Sequence, residues 1–244
     1  MTAADRAAAI EAGLTQTRQR IATAARAAGR EPADVTLIAV TKTHPIADVQ
    51  TLVRLGVTDL GENRVNELAD KADALDESVR WHFVGQLQTN KVNRLVRVPG
   101  LVCVHSVDRP RLVEALARGV RTHRPDRPLD CLVQVDLDAA DGPAGPAASG
   151  RGGVAPGEVP AVAAAIADSD GLVLRGVMAV APLDTDPADA FTRLRELSRH
   201  VQAAHPGADA MSAGMSGDLE QAVAAGATHV RVGTAILQSR GSLR

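Results

Sequence analysis

The sequence predicts a (β/α)8 barrel, a TIM barrel, preceded by one extra helix, and three observations carry that prediction. Eight short runs rich in Val, Leu, Ile and Ala recur along the chain with helix-like segments between them. Several are apolar at nearly every position, the pattern of parallel strands buried on both faces. The 244 residues are enough for eight such units joined by right-handed crossovers, close to the usual barrel size. An open doubly wound sheet shares the alternation, and size favours the barrel over it. No boundary is needed, so residues 1–244 are read as a single domain.

Residues 4–29 mix alanine with charged and polar residues and place Ile10, Leu14 and Ile21 at helical spacing, which predicts a long amphipathic helix before Gly29. Strand 35–40 follows and ends in Thr41-Lys42-Thr43-His44-Pro45, where the residue before proline is pushed out of the helical region. Helix 46–55 stops at Gly56, strand 57–60 delivers Gly61, Glu62 and Asn63, and helix 64–75 continues. Strand 81–85 precedes a segment in which Thr89 is a candidate helix N-cap. Strand 101–105 ends in His105 and Ser106, and Asp108 is placed to cap a helix running to Gly119. Strand 129–137 is almost wholly apolar. Residues 138–157 hold six glycines and three prolines, too little packing surface to order a segment, and a mobile loop is expected there. Helix 158–168, strand 172–180, helix 187–204, strand 208–212, helix 216–225 and strand 228–232 complete the alternation.

Composition narrows the function. Hydrophobic residues make up 45%, charged residues 23%, and the net charge is -2, so no basic field points to nucleic acid. One Trp, two Phe and no Tyr leave few stacking platforms and remove tyrosine from every catalytic role. Cys103 and Cys131 lie inside apolar runs without metal-ligand spacing and are read as buried thiols. No signal-like apolar core and no stretch of eighteen apolar residues occurs, so a cytoplasmic protein without a membrane partner is expected.

Chemistry is expected at the C-terminal rim of the strands. Lys42 stands there, at the end of an apolar strand. It is either a lysine whose stem lies on apolar wall with its ammonium in water, or a Schiff-base amine. Met211-Ser212-Ala213-Gly214-Met215-Ser216 after strand 7 and Arg231-Val232-Gly233-Thr234 after strand 8 bring small residues, hydroxyls and amides to the common phosphate position of such barrels. Each segment alone reads as an N-cap and a tight turn. Together, on adjacent strands next to strand 1, they suit a ligand with a phosphate at one end and an aldehyde at the other, the size of pyridoxal 5'-phosphate. Arg231, two residues before Gly233, is expected to face the barrel interior and to meet the pyridine nitrogen.

The stretches Ala39-Val40-Thr41-Lys42-Thr43, Gly61-Glu62-Asn63, residues 81–91, His105-Ser106-Val107-Asp108, Ser212-Ala213-Gly214-Met215-Ser216 and Arg231-Val232-Gly233-Thr234 resemble, in order and over nearly the whole chain, the pyridoxal phosphate homeostasis proteins of the YggS/PROSC group. The resemblance implies the barrel half of alanine racemase without its second domain, and a pyridoxal phosphate cofactor bound through Lys42. It implies a cofactor lined by Asn63, Met211, Ser212, Gly214, Ser216, Arg231, Gly233 and Thr234, no firmly attached turnover, and transient contact with pyridoxal phosphate-dependent apoenzymes. Three departures stand out: Arg64 in place of a common tyrosine, a longer Gly/Pro-rich segment at 138–153 with Arg151 for the usual lysine, and Leu237-Gln238 for a Phe-Gly pair.

The alternative is a racemase-like enzyme. It needs a second acid/base opposite the lysine, and only His82, His105 or Cys103 are on hand to replace the missing tyrosine. Arg231 can only donate to the ring nitrogen, which weakens the electron sink that decarboxylation or transamination would use. A phosphosugar aldolase with a Schiff-base lysine leaves Asn63 and Arg231 without a role.

Overall fold

The computed structural model describes residues 2–75, 78–138, 152–183 and 185–238. Eight parallel strands close into a barrel in sequence order: β1 (Thr36–Val40), β2 (Asp59–Glu62), β3 (Arg80–Phe83), β4 (Leu101–Val107), β5 (Leu129–Val135), β6 (Leu172–Ala179), β7 (Ala210–Ser212) and β8 (His229–Val232). Closure is made by β1 against β8, with Thr36 opposite His229 and Ala39 opposite Val232. The predicted fold class is borne out, including the extra N-terminal helix.

That helix, α1 (Ala3–Ala27), is opened by a reciprocal cap in which Thr2 and Asp5 bond each other's backbone, and it buries Ile10, Leu14 and Ile21. Its inner face meets the last turn of the described chain closely: a Cβ on Gly13 would lie 2.7 Å from the Ile236 carbonyl. The outer helices are α2 (Ile46–Arg54), α3 (Val65–Ala72), α4 (Val92–Leu95), α5 (Pro110–His123), α6 (Val159–Ala167), α7 (Pro187–Ala204), α8 (Leu219–Ala224) and α9 (Thr234–Leu237). None of the described helices is long and apolar enough to cross a membrane.

Alternation along each strand divides the interior into two regions. Ala39, Leu60, Phe83, Val104, Val133, Val177, Met211, Val230 and Val232 pack in the large cluster between strands and helices. The lumen is narrower and mixed: Cys103, Leu132, Met178 and Ala210 form a small apolar plug, and buried His82, His105, Ser212 and Arg231 are linked by hydrogen bonds.

Local expectations needed correction where side-chain caps had been inferred from residue type. Thr89 opens a single 3-10 turn, Thr89–Lys91, rather than capping a helix, and α4 begins at Val92 with no side-chain cap. Asp108 is paired with Arg109 instead of capping α5, whose start is set by Pro110 at the first helical position. The helix expected from 216 is α8 and begins at Leu219, after Asp218. Helix α9 was not foreseen, because its one turn is too short to show periodicity. Of the expected loop 138–157, residues 139–151, Arg151 among them, lie outside the described residues; its far end runs as a bridge between Val154 and Val135 followed by a turn at Pro156–Glu158.

Candidate functional site

Strand alternation and three glycines shape the C-terminal rim. Ile38 and Val40 face Gly61, whose missing Cβ would lie 3.0 Å from Ile38 and 3.3 Å from Val40. Gly233, across the closing seam, has the Val40 carbonyl 3.0 Å from where its Cβ would be. A side chain at either place would push strands apart or fill the mouth. At Gly85 a Cβ would collide with the Asn63 backbone, so β3 can pass the end of β2 only with glycine there.

Lys42 follows Val40 by two residues, is exposed, and makes no hydrogen bond or ion pair with another described residue. Its flanks are clamped from below. The buried ammonium of Lys71 donates to the Thr41 carbonyl at 2.7 Å, to Glu62 Oε1 at 2.5 Å and to Glu67 Oε1 at 2.8 Å. Glu67 Oε1 in turn accepts from the Thr43 amide at 2.6 Å, and Thr41 Oγ1 donates to Glu62 Oε1 at 2.7 Å. Thr43 is held at φ 65°, a left-handed conformation that a β-branched residue rarely adopts. The backbone on both sides of Lys42 is therefore fixed, while its own side chain is free to meet a ligand. Burial raises the pKa of Glu62, opposed by the hydrogen bonds from Lys71 and Thr41, and its Oε2 has no partner.

The other side of the mouth is built by β7 and β8. Gly214, at φ 90°, sits where a Cβ would lie 2.6 Å from Ala222, and its carbonyl accepts from the Arg231 amide at 2.9 Å. Ser216 Oγ accepts from the Ala235 amide at 3.1 Å, tying the two loops together. Thr234 is exposed beside them. Arg231 is buried and donates to Ser212 Oγ at 2.7 Å and to the Ala179 carbonyl at 2.9 Å. Burial lowers its pKa to about 10, with Asp218 pulling the other way, so the guanidinium remains a cation at neutral pH.

Asn63, half-buried at the end of β2, carries a buried Oδ1 with no hydrogen-bond partner among the described residues. Beside it runs a groove of about 870 Å3 lined by residues that include His44, Arg64, Glu67, Lys91 and Gln88.

The sequence-predicted residues divide accordingly. Lys42, Asn63, Gly214, Ser216, Gly233 and Thr234 stand at the C-terminal ends of β1, β2, β7 and β8, with Arg231 just below. Ser212 is fully buried, and its hydroxyl serves His105 and Arg231. Met211 turns its side chain into the outer layer, and both its amide and its carbonyl are bonded to Thr228, so it contributes as the residue that aims Ser212. The Lys71 clamp was missed by sequence reading. An inward lysine on α3 bracketed by Glu67 and Glu62 is a recognisable ion-pair pattern, yet nothing in it points to Lys42 before the fold is known.

The candidate acids of the racemase alternative lie elsewhere. His82, His105 and Cys103 are buried in the lumen. His82 and His105 are consumed by each other and by Asp59 and Ser212, and burial drives the Cys103 thiol pKa upward.

Residues 13–240 match the family model described as alanine racemase, N-terminal domain. The pyridoxal phosphate homeostasis protein of Mycobacterium tuberculosis is 42% identical over 97% of this chain and 95% of its own length. The chain belongs to this family. The homeostasis protein of Escherichia coli is 35% identical over 93% of the chain and 95% of its own length. Among solved structures, PipY of Synechococcus elongatus with PLP bound superposes with a TM-score of 0.76 at 31% identity, over 93% of this chain and 99% of that one. Alanine racemase of Corynebacterium glutamicum, 15% identical with a TM-score of 0.67, shares the fold over 94% of this chain and 60% of its own length.

Proposed function

We propose that this protein binds pyridoxal 5'-phosphate reversibly, as a single cofactor-binding domain acting inside the cell in the homeostasis of that cofactor. The observation that carries the reading is the juxtaposition of an exposed, unpaired Lys42 with the glycine-lined ends of β7 and β8 across the closing seam of the barrel. The homeostasis proteins it resembles and the PLP-bound PipY structure support it. The residues fit such a group. Close approach of backbone to ligand is open at Gly214 and Gly233, a buried cation waits at Arg231, and the Asn63 Oδ1 is an acceptor in search of a donor.

Bound pyridoxal phosphate supplies an electrophilic aldehyde carbon beside an aromatic ring. Lys42 would hold it covalently through Nζ; the amides after Gly214 and Gly233, with Ser216 and Thr234, would hold its phosphate. Arg231 would donate to the ring nitrogen and keep it unprotonated. The Lys71 clamp fixes the backbone that carries Lys42, so the amine meets the ligand without rearrangement of the strand end. Hydrolysis at Lys42 would release the cofactor to apoenzymes by transient contact. Borohydride reduction of the loaded protein followed by mass spectrometry should place a single label on Lys42. A label on Lys91 instead, or none after incubation with pyridoxal phosphate, would overturn the assignment.

A further inference from the structure

The lumen of the barrel contains an unbroken series of hydrogen bonds from its N-terminal rim to its C-terminal rim. Asp59, first residue of β2, accepts from His82 Nε2 at 2.9 Å; His82 Nδ1 meets His105 Nε2 at 2.9 Å; His105 Nδ1 meets Ser212 Oγ at 3.0 Å; and Ser212 Oγ accepts from Arg231 at 2.7 Å. Every member except Asp59 is at least nine-tenths buried.

Donor and acceptor roles along this series are determined by its ends. The Asp59 carboxylate also accepts from Arg80 at 3.0 Å and from Thr58 at 2.8 Å. Burial alone would raise its pKa, yet the bonds from His82 and Thr58 hold it down at about 2, so it can only accept. His82 must then carry its hydrogen on Nε2. With both imidazoles neutral, His82 Nδ1 is an acceptor, His105 is the donor through Nε2, and His105 Nδ1 is left to accept from the Ser212 hydroxyl. A proton added to His82 reverses the series. His82 Nδ1 becomes a donor, His105 changes tautomer and donates through Nδ1, and the Ser212 hydrogen is released from His105 for another acceptor.

We propose that Asp59, His82, His105 and Ser212 form a polarised relay that fixes the Arg231 guanidinium and sets the direction of the Ser212 hydroxyl, coupling the protonation state at the N-terminal rim to cofactor affinity at the C-terminal rim. The four are positioning residues, acting through Arg231. The coupling rests on the pyridoxal phosphate reading, whereas the relay itself stands on the geometry alone. Among the described residues, the charged and titratable groups beside it include Arg80 from β3, Cys103 from β4, and His229 and Arg231 from β8. The His229 ring lies 6.4 Å from that of His82 and 6.2 Å from that of His105, and burial first, then the nearby His82, lower its pKa to about 4. It is therefore neutral at neutral pH and adds no charge beside the series.

The test is nitrogen NMR of full-length protein labelled at histidine, without cofactor. At pH 8 both His82 and His105 should show a protonated Nε2 and a bare Nδ1. On acidification His105 should change to the Nδ1-protonated form with the same midpoint as His82 protonation. Asp59→Ala should disturb the His105 tautomer, although Asp59 does not touch His105, and should weaken pyridoxal phosphate binding about tenfold, the size of one lost bond to a charged group. Should Asp59→Ala fold poorly, the wild-type titration decides alone. Nδ1-protonated His105 at pH 8, or a His105 tautomer that ignores His82 protonation, overturns the relay. Stoichiometric zinc uptake with loss of the His105 Nε2 proton does so too, since His82, Cys103 and His105 have ligand atoms within 4.8 Å of one another and a metal would need that nitrogen bare. Unchanged affinity in Asp59→Ala overturns the coupling. A protein that shows the tautomer pattern and binds no pyridoxal phosphate refutes the functional reading and leaves the relay standing.

Discussion

Replacing Lys71 by methionine removes the cation that pairs with Glu62. Glu62 is fully buried, and its Oε1 receives both the Lys71 ammonium and the Thr41 hydroxyl. Methionine keeps the volume and leaves Glu62 with the Thr41 hydroxyl alone, the Thr41 carbonyl with the His44 amide alone and Glu67 Oε1 with the Thr43 amide alone, so a buried carboxylate loses its counter-charge. Breaking a buried pair by deleting one partner costs about 3–5 kcal/mol. The lower end, about 3 kcal/mol, is expected here, because Glu62 can escape by taking up a proton and Glu67 is partly exposed. That escape sets the pH dependence. The folded-state pKa of Glu62 already lies above its ordinary value, so the native state holds its proton longer than the unfolded chain, and stability falls as pH rises through the folded pKa. Without Lys71 the pKa rises further. The penalty should therefore be small near pH 4.5 and fully developed at pH 8. Urea unfolding of wild type, Lys71→Met and the double variant Glu62→Gln with Lys71→Met, each at both pH values, measures it. The double variant should recover at least half of the loss at pH 8. A loss below about 1 kcal/mol at pH 8, a penalty independent of pH, or a double variant no better than the single one would refute the reasoning.

Three further outcomes are expected. Ser216→Ala should weaken pyridoxal phosphate binding about tenfold while costing stability less than about 1 kcal/mol; Ser212→Ala should weaken it too but also destabilise, since Arg231 and His105 both lose a buried partner, and unchanged affinity by titration in both would move the phosphate elsewhere. Gly85→Ala should lower stability by about 1–3 kcal/mol, read from denaturant midpoints, because its Cβ would have to displace the Asn63 backbone. With pyridoxal phosphate bound, a chiral assay across a panel of amino acids should find racemisation of alanine and serine no faster than with free cofactor; turnover abolished by Lys42→Ala would favour the racemase alternative.

The barrel was legible because its signal is repeated. Eight runs alternate with helical segments, several of them, such as residues 35–40 and 129–137, report burial on both faces, and errors of one or two residues at their ends do not change the topology. The ends themselves were less legible. Thr89 and Asp108 have the right chemistry for caps, but a 3-10 turn and Pro110 decide those starts, and residue type alone does not reveal which backbone groups go unpaired. The placement of Lys42, Gly214, Ser216 and Gly233 at the rim was legible because strand ends and glycines mark a mouth. The side-chain directions of Ser212 and Met211 were not legible, for one shared reason. Alternation sends Ser212 into the lumen below the mouth and Met211 outward, and a three-residue strand leaves too little pattern to read that parity from sequence. Lys71, Asp59 and the histidine pair are distant in sequence from what they hold, and only the closed barrel brings them together.

Electrostatics supports the proposed position of the ligand at the upper end of the lumen. Filling a barrel of this size with branched apolar side chains is the ordinary solution, and here it is used in part, by Ile38 and the small plug around Leu132 and Met178. Above the plug, Arg231 is buried, and among the described residues its bonded partners are a hydroxyl and a carbonyl rather than a carboxylate. A buried cation without a counter-ion is costly, and the lowered pKa of Arg231 is one expression of that cost. Asp218 is the nearest compensating charge and acts only through space. A dianionic phosphate held at Gly214 and Gly233 would bring negative charge to the rim above that guanidinium, so binding relieves an electrostatic debt that folding left behind. The polar upper lumen is thus better explained as a site kept ready for an anion than as a means of stabilising the empty barrel.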